Sequence, residues 1–152
     1  MELNIERLAR NIHENYLATY DPDGPSWDEL TEDLREANRH QARAILAKLA
    51  SVGAHVEPGP QVRPFTFTGP ELERLAEAEH RRWMAQKRAA GWIYAAVRDS
   101  KRKRHPMIVK WGKLGEFERE KDRDAVRSIP AVLNSAGLRV VRGAPARPGA
   151  AP

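Results

Sequence analysis

The sequence predicts a mainly α protein, built of two pseudo-twofold-related helix–loop–helix repeats packed together with a few short β-strands. Three observations predict it. The chain contains itself twice, its apolar residues recur at helical spacing in both copies, and each copy ends on a glycine followed by a β-prone run.

The self-match is ungapped over its main part. Residues 27–56 align with residues 111–140 at an offset of 84, with 13 of 30 positions identical. Trp27 meets Trp111, Leu30 meets Leu114, Arg39 meets Arg123 and Gly53 meets Gly137. Residues 5–19 align with 72–86 at an offset of 67, pairing His13 with His80 and Tyr16 with Trp83. The two offsets differ by 17 residues, an insertion that falls between Lys87 and Trp111.

The elements follow in order. Ile5, Leu8, Ala9, Ile12 and Tyr16 define a first helix by their spacing. Leu34, Ala37, Ala42, Ile45, Leu46 and Leu49 define a second, which stops at Gly53, a residue suited to the left-handed position past a helix end. The β-prone AHV follows. The linker EPGPQVRPFTFTGP carries another such run, PFTF, at 64–67. Leu72, Leu75, Ala76 and Trp83 mark a third helix, and residues 88–110 a long loop. A fourth helix runs through Val126, Ile129 and Leu133 to Gly137, with a kink or break expected at Pro130, which lacks an N–H to donate. The run LRVV closes the fold, and GAPARPGAAP reads as a disordered tail. The expected organisation is repeat 1 at 1–57, linker at 58–70, repeat 2 at 71–142 and tail at 143–152. One repeat is too short to bury a face alone, so two would share a core and leave a cleft between or beside them.

Composition narrows function. The chain has 152 residues, no cysteine and a net charge of +5. It offers no disulfide, no thiolate and no apolar run of membrane-span length, which suits the cytoplasm. Charge is uneven: residues 1–56 carry −4 and residues 57–152 carry +9. The basic half reads either as a solvated surface or as one awaiting an anion. No HExxH, Gly-rich phosphate loop or nucleophile elbow is present, and the five histidines are scattered. The expectation is no catalysis, no metal and no cofactor.

The segment 71–142 resembles the RyR repeat, named after ryanodine receptors. The residues that carry the resemblance are Leu75, Ala76, His80, Trp83, Gly91, Trp92, Tyr94, Arg98, Asp99, His105, Pro106, Val109, Leu114, Asp122, Arg123, Val126, Leu133 and Gly137. Ala95 stands where the family usually has glycine. Residues 1–57 resemble a degenerate copy, with the GW and HP motifs lost and Asn38 in place of the aspartate of the DR pair. The resemblance implies a helical repeat pair with small strands. In ryanodine receptors such pairs can hold an adenine nucleotide in their cleft. Bacterial relatives, some in nucleotide-signalled phage defence systems, accompany nucleotide-binding and channel-like domains.

The residues themselves offer matching chemistry. Trp92 and Tyr94 provide aromatic faces for a base, and Arg98, Lys101, Arg102, Lys103 and Arg104 provide donors for phosphate. Against this, Trp92 can cap the core and the KRKR run can be a solvated loop tip. His80, Trp83 and His105 read as ligand contacts or as a buried histidine–aromatic packing set. Asp122 reads as a helix cap. Arg39, Arg43, Arg123 and Arg127 recur between the copies and would present a symmetric cationic surface. The expected function is a ligand-sensing module. It would bind a cyclic dinucleotide or adenine nucleotide in the cleft formed by the repeats and the 91–110 loop, and act on a fused or neighbouring effector. No direct membrane contact is expected, and a homodimer is possible on this reading. The alternatives are a protein-interaction scaffold without a small ligand, and nucleic-acid binding through KRKR.

Overall fold

The computed structural model describes residues 2–145. The tail expected to be disordered lies, from residue 146 on, outside the described residues. The elements in chain order are α1 (Ile5–Tyr20), a 3-10 helix (Trp27–Glu29), α2 (Glu32–Arg43), α3 (Ile45–Ser51) and β1 (Ala54–Pro58). There follow α4 (Gly69–Ala89), β2 (Ile93–Tyr94), β3 (Arg104–His105), a second 3-10 helix (Trp111–Lys113), α5 (Glu116–Arg127), α6 (Ile129–Asn134) and β4 (Leu138–Arg142). The protein is mainly α with a few short strands. Among the described residues, no helix is long and apolar enough to cross a membrane.

The chain forms two compact units, Met1–Thr66 with Ser128–Pro152, and Phe67–Arg127. In the first, α1 packs on α2 and on α6, while α3 lies on β1 and α6 on β4. Asn4 caps α1 by accepting from the Arg7 N–H at 3.0 Å. Thr31 caps α2 through the Leu34 N–H. Leu8, Ala9, Ile12, Trp27, Leu30, Ile45 and Leu49 are buried. β1 and β4 pair antiparallel, with Val56 opposite Val140 and Pro58 opposite Leu138. The free edge of Val140 is covered by Gln61, whose amide accepts from the Val140 N–H at 2.8 Å and donates to its carbonyl at 3.1 Å.

The second unit is continuous in sequence. α4 starts on a reciprocal cap: the Thr68 hydroxyl accepts from the Glu71 N–H, and the Glu71 carboxylate accepts from the Thr68 N–H. α4 packs on α5, and Leu75, Ala76, Met84, Ile108, Leu114 and Val126 are buried. β2 and β3 make a short parallel pair, Ile93 opposite Arg104 and Tyr94 opposite His105.

Three sequence expectations are corrected. Residues 64–67 form no strand; the Phe65 ring instead packs under the Arg142 guanidinium at 4.9 Å. The helix through Leu34 and Leu49 is broken at Ala44, whose N–H turns to the Gln41 carbonyl in a tighter, three-residue bond. The insertion after α4 is folded rather than a plain loop: β2 and β3 pair within it, and an antiparallel bridge between Asp99 and Arg104 closes a hairpin at its tip. The break at Pro130 is where the sequence places it: α6 starts at Ile129, with the proline in its first turn, where an N–H is not needed.

Candidate functional site

Residues 90–106 build the site. α4 ends at Ala89, and Gly91 at φ 91° turns the chain out, a conformation a side chain disfavours. The Trp92 N–H donates back to the Lys87 carbonyl at 3.0 Å. The Ile93 N–H then bonds Lys103, and Asp99 and Arg104 exchange both backbone bonds at 2.8 and 3.0 Å. This closes a tight turn over SKRK. The Asp99 carboxylate accepts from the Arg102 N–H at 3.2 Å, fixing the turn from inside. Lys103 takes a left-handed φ of 56°, and its ammonium donates to the Ala90 carbonyl at 2.7 Å, at the C-terminal end of α4. Ala95 needs no glycine: among the described residues Lys103 is the one non-glycine with positive φ.

The turn borders an open depression of about 610 Å³. Ala95, Val97, Arg98, Lys101, Arg102 and Arg104 line it, together with Asp99 and Ser100. The Arg104 guanidinium is oriented by a 2.7 Å bond to the Arg102 carbonyl. Arg102 lies 3.8 Å from the Asp99 carboxylate, too far for a hydrogen bond and mostly in solvent. Arg98 and Lys101 make no ion pair among the described residues.

The aromatic residues form a separate cluster. The Trp83 ring meets the His105 ring edge-on at 4.9 Å, and Trp92 lies 6.0 Å from His105. The Lys87 ammonium sits 4.6 Å from the Trp92 centroid and so covers a face of that ring. His80 stacks on Trp83 at 5.8 Å and donates from Nε2 to the Val109 carbonyl at 2.6 Å. Its Nδ1 lies 3.9 Å from Asp122. Asp122 therefore sits inside α5 facing His80, not at the helix start as a cap. His105 is buried and accepts the Met107 N–H on Nδ1 at 3.1 Å, which leaves its proton on Nε2. Burial, with Arg98 and Lys87 nearby, pushes its pKa down to about 4. Tyr94 stands apart with 55% of its surface exposed.

The structure thus places Arg98 and Arg104 on the depression, and Trp83, Trp92, His80 and His105 in the aromatic cluster, outside its lining. Arg98 serves both: it lines the depression and its charge acts on His105. The four recurrent arginines are elsewhere and occupied. Arg123 bonds Glu73 at 2.8 Å, Glu120 at 3.0 Å and Glu116, and it lies 5.9 Å from the Trp111 centroid. Arg127 bonds Glu120 and Asp124. In the other unit Arg39 bonds Glu6, Glu32 and Glu36, and lies 5.9 Å from Trp27. Arg43 bonds Glu36 at 2.7 Å. Their carboxylate partners hold Arg39 and Arg123 charged beyond the ordinary arginine range. For Lys101 and Arg102 the sequence leaves phosphate donor and solvated tip as alternatives. The signal that favours the first is Asp99, whose side chain turns the chain so that both residues face the same hollow as Arg98.

These landmarks coincide with a known pattern. Residues 70–142 match the RyR domain. The match supports the RyR family for this segment, and it spans α4, the hairpin, α5, α6 and β4. Within the matched segment, the GW pair provides the turn at Gly91 and the ring under Lys87, and the HP pair provides His105.

Proposed function

We propose that the protein is a non-catalytic sensing module whose 91–106 segment, through the hairpin at its tip, binds a small anionic nucleotide and regulates a fused or neighbouring effector. The observation that carries this reading is the convergence of Arg98, Lys101, Arg102 and Arg104 on one depression, with the turn beneath them fixed by its own hydrogen bonds. Guanidinium groups match phosphate oxygens two bonds at a time, and a pre-ordered loop loses little entropy on binding. For the base, Tyr94 is the better platform, since Lys87 covers a face of Trp92. The RyR match is consistent with a recurring module rather than a one-off surface.

The same reading takes the whole chain as a tandem of RyR-type repeats with a degenerate first copy. In support, contacts recur at the sequence offsets. Glu6, Glu32 and Glu36 hold Arg39 as Glu73, Glu116 and Glu120 hold Arg123, and His13 bonds Pro25 as His80 bonds Val109. The first copy lacks the hairpin and with it the proposed site.

The test is a titration of the purified chain with cyclic dinucleotides, cyclic mononucleotides, ATP, ADP and NAD, read by tryptophan fluorescence and thermal shift. Saturable binding by one ligand, abolished in Arg98→Ala/Arg104→Ala, supports a sensor. Exposed Ile93 and Val97 beside the cations favour, as the second reading, docking of an acidic partner protein. Silence across the panel from a folded chain moves the weight there.

A further inference from the structure

Two ligand shapes satisfy an anionic-nucleotide site. One carries its phosphates side by side on one chain. The other, a cyclic dinucleotide, holds two phosphates apart on opposite sides of a ring. We propose that the hairpin selects the first, a contiguous polyphosphate such as the tail of a nucleoside di- or triphosphate. This rests on the reading of the hairpin as an anion site and narrows it.

Charge and placement carry the argument. The lining holds Arg98, Lys101, Arg102 and Arg104 against Asp99 alone, four cations and one carboxylate, a net of +3. All lie within seven residues of sequence and face one hollow. A lone phosphodiester brings one negative charge and leaves most of that field uncompensated, whereas a triphosphate tail meets it in full. A ligand with two separated phosphates needs a second unoccupied cationic pair. The arginines that recur between the copies do not supply it. Arg123 and Arg127 are held by Glu73, Glu116, Glu120 and Asp124, and Arg39 and Arg43 by Glu6, Glu32 and Glu36. Lys103 is turned away to the Ala90 carbonyl. No aromatic ring is in the lining, so nothing in the hollow itself stacks on a base. The hollow reads phosphate, and the base lies outside it.

The experiment is calorimetric titration of the full chain at fixed ionic strength with inorganic tripolyphosphate, ATP, AMP, a cyclic dinucleotide and a single-stranded RNA. The comparison variant is Arg98→Ala/Lys101→Ala, whose two side chains are exposed and whose fold is checked by circular dichroism. The expected result is that tripolyphosphate and ATP bind, that AMP and the cyclic dinucleotide bind at least about tenfold more weakly, and that the double variant loses about tenfold or more for the first two. A cyclic dinucleotide binding more tightly than tripolyphosphate overturns this inference while the sensor reading stands. RNA binding more tightly than tripolyphosphate, or tripolyphosphate binding that the double variant leaves unchanged, also overturns it. If neither nucleotides nor tripolyphosphate bind, both readings fall together.

Discussion

The Nε2 of His80 lies 2.6 Å from the carbonyl oxygen of Val109 and donates to it. That bond ties the end of the inserted segment to the middle of α4. His80 is 3% exposed, so water cannot replace the lost donor in a variant. His80→Phe fills the space but orphans a carbonyl, at a cost of about 1–3 kcal/mol. Urea unfolding is expected to show that loss, and hydrogen exchange to show faster opening of residues 106–110.

Arg123 answers three carboxylates at once. Bonds to Arg127 and to Arg123 hold Glu120 below the ordinary carboxylate range, and Arg123 does the same for Glu73. A lowered carboxylate stabilises the fold above its unfolded value of 4.5, and that stabilisation is lost as pH falls through the folded value. Arg123→Ala is therefore expected to lower the melting temperature at pH 7 and to flatten its fall below pH 4.5. Because the glutamates are half in water, the loss at pH 7 is expected near 1 kcal/mol rather than the larger cost of a buried pair.

Two histidines push stability in opposite directions with pH. His105 is held down to about 4 by burial and by Arg98 and Lys87, so the unfolded chain takes up its proton first and the fold loses stability as pH falls from 6.5 toward 4. His55 is raised, because Glu57 accepts from Nε2 and the Gly143 carbonyl from Nδ1. Its contribution is present below 6.5 and lost as pH rises through the folded value. His105→Gln is expected to remove the acid-side slope between 4 and 6.5, and His55→Gln the opposing one. An NMR titration gives both ring values directly. Adding tripolyphosphate is expected to raise the His105 value, since it neutralises Arg98.

Lys103 sits at φ 56°, which costs a side-chain-bearing residue roughly 1–2 kcal/mol. Its ammonium offsets part of this by bonding Ala90. Lys103→Ala keeps the strain and loses the bond, while Lys103→Gly loses both. The glycine variant is expected to be more stable than the alanine variant by about 1 kcal/mol. Equal melting temperatures for the two would remove strain from the account of this turn.

What the sequence made legible has a physical pattern. Helix periodicity located α1 and α4 from Leu8, Ile12, Leu75 and Ala76, because those residues repeat every three or four positions on a buried face. Gly53 and Gly137, at φ 69° and 77°, marked the ends ahead of β1 and β4 for the same local reason. The break at Ala44 was not legible, since no proline or glycine marks it and the tighter bond there is a backbone event. PFTF misled because β-prone residues form a strand only beside a partner, and Gln61 already covers the β4 edge. At the site, residue type indicated cations and aromatics correctly but not their company. Side chains that touch across fifty residues, such as Arg123 and Glu73, decide which cation is spent and which is open. Spacing along the chain does not carry that information.

The pairing of β1 with β4 joins Val56 to Val140 across most of the chain. On the ribosome this imposes an order of events. The continuous unit Phe67–Arg127 has all its residues in hand before the last strand is synthesised. The other unit must hold β1 without its partner until Arg142 has emerged, so it finishes after the continuous unit and is the more exposed to misassembly while it waits.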